Sequence, residues 1–524
     1  MDTVHPKATR REWVGLGVIA LACVLYVMDL TILHLAVPSI SRDLRPTSTQ
    51  LLWIIDLYGC MVAGSLITMG SLGDRIGRRR LLLTGAAAFG AASVLAALSS
   101  SAEMLIGTRA LLGIAGATLA PSTLSLIRNM FLDPRERTTA VAVWITSFSV
   151  GGAIGPLLGG AILEFFWWGA AFLVAVPVMA LLLVLGPRLL PEYRDPDAGR
   201  ADVPSAVLSL AAVLSLIFGS KEIAQDGIGP VAVASIVAAI AFAFVFARRQ
   251  RRLDDPLIDL RLFRIPAFSA SLATYGLGIL IVFGGFLFIP QYLQLVRGMS
   301  PLEAGLWTLP WSLAFVVGSM VTPKLARSVR ASTLMAVGLV AAAVGFSLFI
   351  GLGQVTSLAT VVTGSVLFAL GMGPVFTVTN DLIIGSAPAE RAGAAAGISE
   401  TAAELGGALG IALFGSIGIA LYRGAMRNGV PSDVSPAAAE ASRDTLGGAV
   451  EVATRLPDRV GSTLVDAARE AFLRGLRVSA VISAVGTLAL AFGVLTLLRR
   501  LGVETAAAPH GDADAIATDD TTAV

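Results

Sequence analysis

Fourteen apolar runs, each about 20 residues long, follow one another along almost the whole of this 524-residue chain. A run of that length is what an α-helix needs to cross the hydrocarbon core of a bilayer. Because lipid offers the backbone no hydrogen-bond partner, each run must satisfy its own N–H and C=O groups as a helix. The sequence therefore predicts an all-α, polytopic membrane protein.

The runs are separated by short segments that carry Arg, Asp, Pro or Gly. Their approximate bounds are 14–37, 50–70, 81–100, 103–127, 139–161, 168–190, 203–223, 229–247, 268–290, 303–323, 332–352, 356–380, 392–421 and 474–498. Arginine and lysine cluster in alternate connecting segments, and the positive-inside rule assigns such segments to the cytoplasm. We therefore expect a multi-pass protein of the cell membrane, whether inner or plasma membrane, with both termini in the cytoplasm.

Composition excludes several other classes of protein. With 55% hydrophobic and 14% charged residues, the chain is too apolar for a soluble globule. The net charge of +2 reflects the asymmetric loops, so we expect no nucleic-acid partner. Cys23 and Cys60 both lie inside apolar runs, and no metal-ligand spacing or catalytic His, Ser or Cys cluster is present. We expect neither a metal nor a cofactor, and no enzymatic activity.

An internal repeat divides the chain. The segments PRERTTAVAV, from Pro134, and PAERAGAAAG, from Pro388, both open a run. They continue as SVGGAIGPLLGG at 149–160 and ELGGALGIALFG at 404–415, so the fifth and thirteenth runs look like copies. A repeat at this separation predicts two related six-helix halves, an arrangement typical of transporters.

The repeat sets the predicted domains. The first half covers 14–190, two inserted helices cover 203–247, and the second half covers 268–498. Within the second half, residues 423–473 alternate apolar and charged residues at helical spacing, which predicts an extracellular helical hairpin. The polar tail at 504–524 is typical of disorder and would lie in the cytoplasm.

The loop after the second run reads GSLGDRIGRRR, residues 70–80. Positive-inside charge explains its arginines but neither its glycines nor its aspartate. Gly70 and Gly77 permit a tight turn and close helix approach, while Asp74 can cap a helix end or pair with Arg75 or Arg78. We predict that these five residues take part in conformational gating.

This loop matches the signature of the major facilitator superfamily, Gly-x-Leu-x-Asp-Arg-x-Gly-Arg-Arg, at the place where that family has it. In the fourth run, Arg109 resembles the family's intramembrane arginine motif. The fifth run resembles the motif of the superfamily's proton-driven exporters, which adds further candidate gating residues: Gly151, Gly155, Pro156 and Gly159. Ordinary packing of small residues between membrane helices is the alternative explanation for these glycines.

Five charged residues inside the apolar runs require an explanation. At the centre of a membrane helix each costs roughly 2.5 to 3.5 kcal/mol if it faces lipid. From the rise per residue, Asp29, Asp56 and Arg109 lie at a similar depth, about 9 to 12 Å below the outer helix ends. Glu400 and Glu404 share one helix face. We predict that the five face one another or water and couple transport to protons, with Asp29 binding the proton and Arg109 modulating its affinity.

Two alternatives remain open for these charges. Asp29 could belong to a purely structural ion pair, and the two glutamates could solvate a broken helix. Aromatic residues near the acids favour a cavity for a lipophilic cation, although most membrane aromatics are packing or interface residues. The predicted substrate-binding residues are Tyr26, Trp53, Asp56, Tyr58, Trp144, Phe148, Trp311, Phe315, Glu400 and Glu404.

The stretches MDLTI, QLLWIIDLYG, GIAGATLAPSTLSLIR and SETAAELGG, together with the loop, resemble QacA/LfrA-type fourteen-helix drug:proton antiporters of the major facilitator superfamily along essentially the whole chain. The resemblance implies the major facilitator fold, and it implies that Asp29, Asp56, Glu400 and Glu404 serve proton coupling and cation recognition. Some relatives carry an additional acid where this chain has Phe315, so the resemblance favours monovalent over divalent cations.

We therefore expect a monomeric, proton-coupled multidrug efflux antiporter that works by alternating access. Its partners would be protons, the lipid bilayer and lipophilic, mainly monovalent cationic compounds such as dyes, antiseptics and antibiotics. The alternative is a proton-linked transporter of the same fold that exports an endogenous metabolite, a lipid or a self-made antibiotic.

Overall fold

A computed structural model describes residues 7–194, 202–253, 256–388 and 391–500. Within these residues, fourteen helices are long and apolar enough to cross a membrane, which confirms the predicted number and the all-α class. The predicted disordered tail, 504–524, lies outside the described residues. The membrane helices are α1 (Arg10–Leu44), α2 (Ser48–Ile76), α3 (Arg78–Ala97), α4 (Ala102–Met130), α5 (Pro134–Phe165), α6 (Ala170–Leu189), α7 (Val203–Asp226), α8 (Pro230–Gln250), α9 (Pro266–Val296), α10 (Pro301–Leu325), α11 (Ala331–Ile350), α12 (Leu358–Gly385), α13 (Ala392–Met426) and α14 (Asp458–Arg500).

Short polar caps define where several helices begin. Thr47 accepts a hydrogen bond from the backbone of Gln50, whose side chain accepts one from the Thr47 backbone in return. Ser300 and Glu303 form the same capping box at the start of α10. Each box satisfies backbone N–H groups that the first turn leaves without partners. These caps let the chain reverse within a few residues at the membrane surface.

The turn between α2 and α3 is shorter than we expected. Helix α2 continues through Gly70 and Asp74 to Ile76, and only Gly77 leaves the helical conformation, with φ +108°. The expected role of Gly70 in the turn is therefore wrong. A left-handed φ strains any residue with a Cβ atom, so glycine is required at Gly77, whereas nothing in the sequence around Gly70 interrupts the helix.

The repeated glycines pack equivalent helix pairs in the two halves. On α5, Gly151 and Gly155 lie directly against the backbone of α1. On α13, the corresponding Gly406 and Gly410 lie against the backbone of α9. Without side chains at these positions the helix axes can approach closely, and close van der Waals contact is the main force between helices in lipid.

The halves meet each other through two further helix pairs, α5 with α10 and α2 with α13. At the first contact, Gly160 lies against the backbone of Pro301, and Gly305 against the backbone of Pro156. At the second, Gly415 lies against the side chain of Leu52. The inserted helix α7 packs on α8 and also touches α2 and α13, so it lies beside this second contact.

Two short helices, Pro436–Asp444 and Leu446–Ala453, cover one end of the bundle. Ser48 Oγ donates a hydrogen bond to the carbonyl oxygen of Asp444 (2.6 Å). The predicted range 423–473 is too wide, because α13 runs to Met426 and α14 begins at Asp458. Helical residues without a strong breaker extend both long helices into the predicted segment.

Packing of α5 on α1 predicts unequal effects for two adjacent glycines. A methyl group at Gly151 would meet the carbonyl oxygen of Val24, whereas at Gly152 the nearest atom is Val27 Cγ1 at 3.8 Å. We expect Gly151→Ala to destabilise the protein by about 1 to 3 kcal/mol through overpacking. Gly152→Ala is the matched control, since both substitutions change helix propensity equally. Thermal stability of the two purified variants, followed by fluorescence-detected size exclusion, checks this; equal melting temperatures would contradict it.

Candidate functional site

A buried arginine anchors the polar centre of the first half. Arg109 on α4 is fully buried, and its Nη1 donates a hydrogen bond to Asp29 Oδ2 on α1 (2.6 Å). Its Nε donates to the carbonyl oxygen of Ile54 on α2 (3.2 Å), and its guanidinium carbon lies 4.6 Å from the centroid of the Tyr58 ring. One cation thus joins three helices, and the structure brings Arg109 and Asp29 together as the sequence predicts.

Asp56 pairs with a second buried base. Its Oδ1 accepts a hydrogen bond from Lys221 Nζ (2.9 Å), and both side chains are almost fully buried. Helix α7 thus places beside Asp56 a cation that is not among the five predicted residues. Sequence reasoning missed Lys221, although a lysine inside the run 203–223 costs as much in lipid as the acids do.

Glu404 links the two halves. The hydroxyl of Tyr26, on α1, donates a hydrogen bond to Glu404 Oε1, on α13 (2.6 Å). The hydroxyl of Tyr58 in turn donates to the carbonyl oxygen of Tyr26 (3.5 Å). A chain of contacts therefore runs from Glu404 through both tyrosines to Arg109, whose guanidinium lies over the Tyr58 ring.

Asp56 and Glu404 line one cavity between the halves. The rest of its wall is apolar and comes from α1, α2, α9 and α13. Besides the two acids, the lining residues are Leu30, Ile55, Gly59, Ile279, Phe283, Ala403, Gly407, Ala408 and Ile411. Two carboxylates in an otherwise apolar chamber suit a ligand that is both lipophilic and cationic.

Two other predicted acids lie next to this chamber. Among the described residues, the cavity lining does not include Asp29 or Glu400. Asp29 precedes the lining residue Leu30 and is turned towards Arg109. Glu400 is one helical turn from Glu404 on α13. The structure thus places one carboxylate pair in the chamber wall and the remaining two acids within a residue or a turn of it.

Three predicted aromatic residues cluster on the first half. Phe148 on α5 lies 4.7 Å from Trp144 and 6.1 Å from Tyr26, measured between ring centroids. The indole nitrogen of Trp144 donates a hydrogen bond to Thr123 Oγ1 (2.9 Å). Through Tyr26 this cluster connects to Glu404, so it adjoins the chamber on the side of α1 and α5.

Aromatic residues of the second half form separate pairs. Trp311 stacks on Phe286, with ring centroids 4.6 Å apart, and Phe315 lies 5.8 Å from Phe376. Neither Trp311 nor Phe315 is among the residues that line the Asp56 and Glu404 cavity. Trp53 faces α7 and lies against Lys221. These placements separate the predicted aromatic set into chamber neighbours and residues that pack elsewhere.

The predicted gating loop is fixed to the segment that follows α6. Arg78 Nε donates a hydrogen bond to Asp74 Oδ1 (2.8 Å), so this aspartate pairs with a neighbouring arginine, one of the two roles that its sequence position indicates. The backbone N–H of Arg78 donates to the carbonyl oxygen of Tyr193 (2.8 Å), and that of Arg79 donates to Glu192 Oε1 (3.1 Å). The loop therefore connects α2 and α3 to the chain that leads into the inserted helices.

The remaining predicted gating residues contact other helices. A Cβ atom at Gly155 would meet Thr31 on α1, and one at Gly159 would meet Ile32 at 2.9 Å. Pro156 presents its carbonyl to Gly305 on α10. Gly70 faces Pro121 on α4, and the Arg75 Nε is buried with no hydrogen-bond partner among the described residues. Gly155 and Gly159 thus pack on the turn of α1 that follows Asp29, whereas Gly151 packs on Val24, before it.

The family model described as Major Facilitator Superfamily matches residues 19–411 of the chain. The chain belongs to the major facilitator superfamily. This is a family of membrane transporters, and the fourteen helices make the protein a multi-pass member of it.

Curated major facilitators resemble the chain over nearly its full length. It is 45% identical to the multidrug efflux pump LfrA of Mycolicibacterium smegmatis, over 94% of this chain and 98% of the relative. It is 34% identical to the methyl viologen resistance protein SmvA of Salmonella typhimurium, over 88% and 93%. It is 32% identical to the tetracenomycin C resistance and export protein of Streptomyces glaucescens, over 94% and 92%.

Solved structures agree on the fold. A bacterial homologue of the human lysosomal transporter Spinster, inward-facing and unoccupied, matches with a TM-score of 0.63 at 16% identity, covering 93% of this chain and 98% of that one. A peptide transporter, POT, in complex with sulfate matches with a TM-score of 0.60 at 17% identity, covering 93% and 95%. The predicted major facilitator fold is confirmed.

Burial of the Arg109 and Asp29 pair predicts non-additive effects on stability. Asp29→Ala leaves a fully buried guanidinium without its carboxylate, and such a loss typically costs about 3 to 5 kcal/mol. Removing both charges in Asp29→Ala, Arg109→Met should cost less than the sum of the single changes, because no unpaired charge remains. Melting temperatures of the single and double variants test this. Additive losses would show that the two side chains do not act as a pair.

Proposed function

We propose that the protein is a proton-coupled antiporter that exports lipophilic, mainly monovalent cationic compounds across the cell membrane by alternating access. The observation that carries this proposal is the apolar chamber between the halves, whose wall holds the carboxylates of Asp56 and Glu404. We assign proton coupling and cargo binding to the residues predicted for these roles from the sequence.

The chamber favours a lipophilic cation over other cargo. Its apolar wall removes hydrocarbon surface from water, while a carboxylate in low dielectric attracts positive charge more strongly than it would in water. An anionic cargo would meet the acids directly. The methyl viologen resistance protein SmvA, which the chain resembles over most of its length, supports a positively charged cargo, since methyl viologen is an organic dication, and the multidrug efflux pump LfrA supports efflux.

Proton coupling rests on the contacts that join the chamber to Asp29. Cargo bound at Glu404 would compete for the hydrogen bond from the Tyr26 hydroxyl. The Tyr26 carbonyl accepts a hydrogen bond from Tyr58, and the ring of Tyr58 lies against Arg109. A proton on Asp29 would weaken its attraction to Arg109 and release that cation towards the chamber. Binding of a proton and binding of a cationic cargo would then oppose each other, which is what exchange requires.

Alternating access follows from the glycine-rich contacts between the halves. We propose that residues 14–190 and 268–498 rock against each other along α5 with α10 and α2 with α13. Gly77 and the Asp74–Arg78 pair would hold the loop in one state. A one-for-one exchange of a proton for a monocation moves no net charge, so only the pH gradient would drive it; a second proton would add about 2.3 kcal/mol per 100 mV.

Topology completes the proposal. We place both termini in the cytoplasm, from the arginines of the connecting segments, and the short helices Pro436–Asp444 and Leu446–Ala453 on the outer side. We treat the protein as a monomer that transports rather than chemically changes its cargo.

A second candidate is export of an endogenous metabolite, a lipid or a self-made antibiotic by the same mechanism. The observation in its favour is the 32% identity to the tetracenomycin C resistance and export protein of Streptomyces glaucescens. The same chamber would serve such a compound if it carried an apolar body and a basic group.

Transport in reconstituted vesicles tests the first candidate. Ethidium movement should follow an imposed pH gradient and stop when the gradient is collapsed. Glu404→Gln keeps the shape and the hydrogen bond from Tyr26 but removes the charge, so we expect at least a tenfold loss of gradient-driven ethidium transport. If ethidium moves no faster than in protein-free vesicles, with or without a pH gradient, the drug:proton proposal is rejected.

A parallel substitution separates proton coupling from cargo binding. Asp29→Asn should abolish ethidium accumulation driven by the pH gradient, and dye binding to the purified variant should vary less with pH than in the wild type, because the amide cannot take up a proton. The measurement pairs transport with equilibrium dye binding on one preparation. Retained proton-driven accumulation in this variant would remove Asp29 from the mechanism.

A further inference from the structure

Lys221 brings a positive charge to Asp56, a residue of the chamber wall, from outside the two six-helix halves. It lies on the inserted helix α7 and is only 3% exposed. Its Nζ is 2.9 Å from Asp56 Oδ1 and 3.4 Å from the centroid of the Trp53 ring, both on α2. The indole of Trp53 also stacks on Phe218 of α7, with the ring centroids 6.5 Å apart.

The surroundings of this ammonium are those of a cation-binding site. A carboxylate supplies charge and an aromatic face supplies a cation–π contact, which together are how proteins bind organic cations. Asp56 itself faces the chamber, and its second oxygen, Oδ2, is buried with no hydrogen-bond partner among the described residues. One carboxylate therefore stands between a side-chain cation and the space where cargo would lie.

The charges around the chamber do not all remain available. Asp29 is paired with Arg109, and Asp56 is paired with Lys221. Glu404, the other acid in the cavity lining, is contacted by the neutral hydroxyl of Tyr26. Among the described residues, the lining thus offers one carboxylate without a basic partner, enough to balance one monovalent cation; Glu400 lies one helical turn from Glu404, outside that lining.

We propose that Asp56 and Trp53 form a second cation subsite, that Lys221 occupies it as a tethered cation, and that this occupation restricts the chamber to monovalent cargo. The inference rests on the proposed function, since it assumes that the cargo is cationic. A divalent cargo must displace the Lys221 ammonium from Asp56 before both its charges are balanced. Lys221 is therefore a specificity-determining residue, contributed by the insertion.

Two dyes with one ring system provide the test. Ethidium is monovalent, whereas propidium carries a second positive charge, a quaternary ammonium on a propyl chain attached to the same phenanthridinium ring system. Dissociation constants for both are measured by dye fluorescence on the purified full-length protein. We expect Lys221→Gln to lower the ratio of the propidium constant to the ethidium constant at least tenfold, because Asp56 becomes available to the second charge.

Three further variants show whether the effect passes through Asp56. Lys221→Arg keeps the cation and should keep the wild-type ratio. Glu222→Gln, the matched control, removes a charge from the same turn of α7 without touching the ion pair and should also keep it. The double variant Asp56→Asn, Lys221→Gln removes both partners of the ion pair. The tenfold fall in the ratio of the propidium to the ethidium dissociation constant should therefore be absent.

A second comparison, between Asp56→Asn and the double variant, tests the proposal even if Lys221→Gln alone does not fold. In Asp56→Asn alone, the ammonium of Lys221 loses its counter-charge and should weaken ethidium binding at least fivefold; adding Lys221→Gln should restore it. The proposal is overturned if the double variant binds ethidium no better than Asp56→Asn, or if folded Lys221→Gln shows the wild-type ratio. Wild-type protein that binds neither dye would instead contradict the proposed function itself.

Discussion

Charge compensation in an apolar interior is the constraint on which the rest of this protein depends. A bilayer-spanning bundle excludes lone charges, yet transport of a cation needs negative charge near its centre. The chain resolves this conflict by assigning a buried base to each of two acids, Arg109 to Asp29 and Lys221 to Asp56. Among the described residues, Glu404 accepts a hydrogen bond from the Tyr26 hydroxyl and has no basic partner, so its carboxylate is the one in the chamber lining that a cationic cargo can contact without displacing a base.

Backbone packing and electrostatics meet on the same helix. The turn of α1 that carries Asp29 lies against Gly155 of α5, while Tyr26, three residues before Asp29, donates a hydrogen bond to Glu404 of α13. Movement of α5 against α1 would therefore change the surroundings of the proton-binding candidate and of the cargo contact together. The glycines that allow close approach of the helices also keep this mechanical connection short.

Much of the fold, and part of the site, could be predicted from the sequence. Helix number follows from apolar length alone, and the repeat at 149–160 and 404–415 correctly paired α5 with α13, because copies of one packing motif keep the same small residues. The pairing of Asp29 with Arg109 followed from equal depth. The partner of Asp56 could not be found that way, because depth does not show which face of α7 turns inward. For the same reason the sequence does not show that Trp311 and Phe315, assigned to the cargo site by type and position, pack against other aromatic rings of the second half, Phe286 and Phe376.

The inserted helices have a consequence for how such a bundle can be shortened or rebuilt. Since α7 supplies the counter-charge of Asp56, excising the stretch from Val203 to Gln250 would do more than remove lipid-facing surface. It would leave the carboxylate of Asp56 buried without a basic partner. A functional twelve-helix derivative would thus need a neutral residue at Asp56 or a new base on a neighbouring helix.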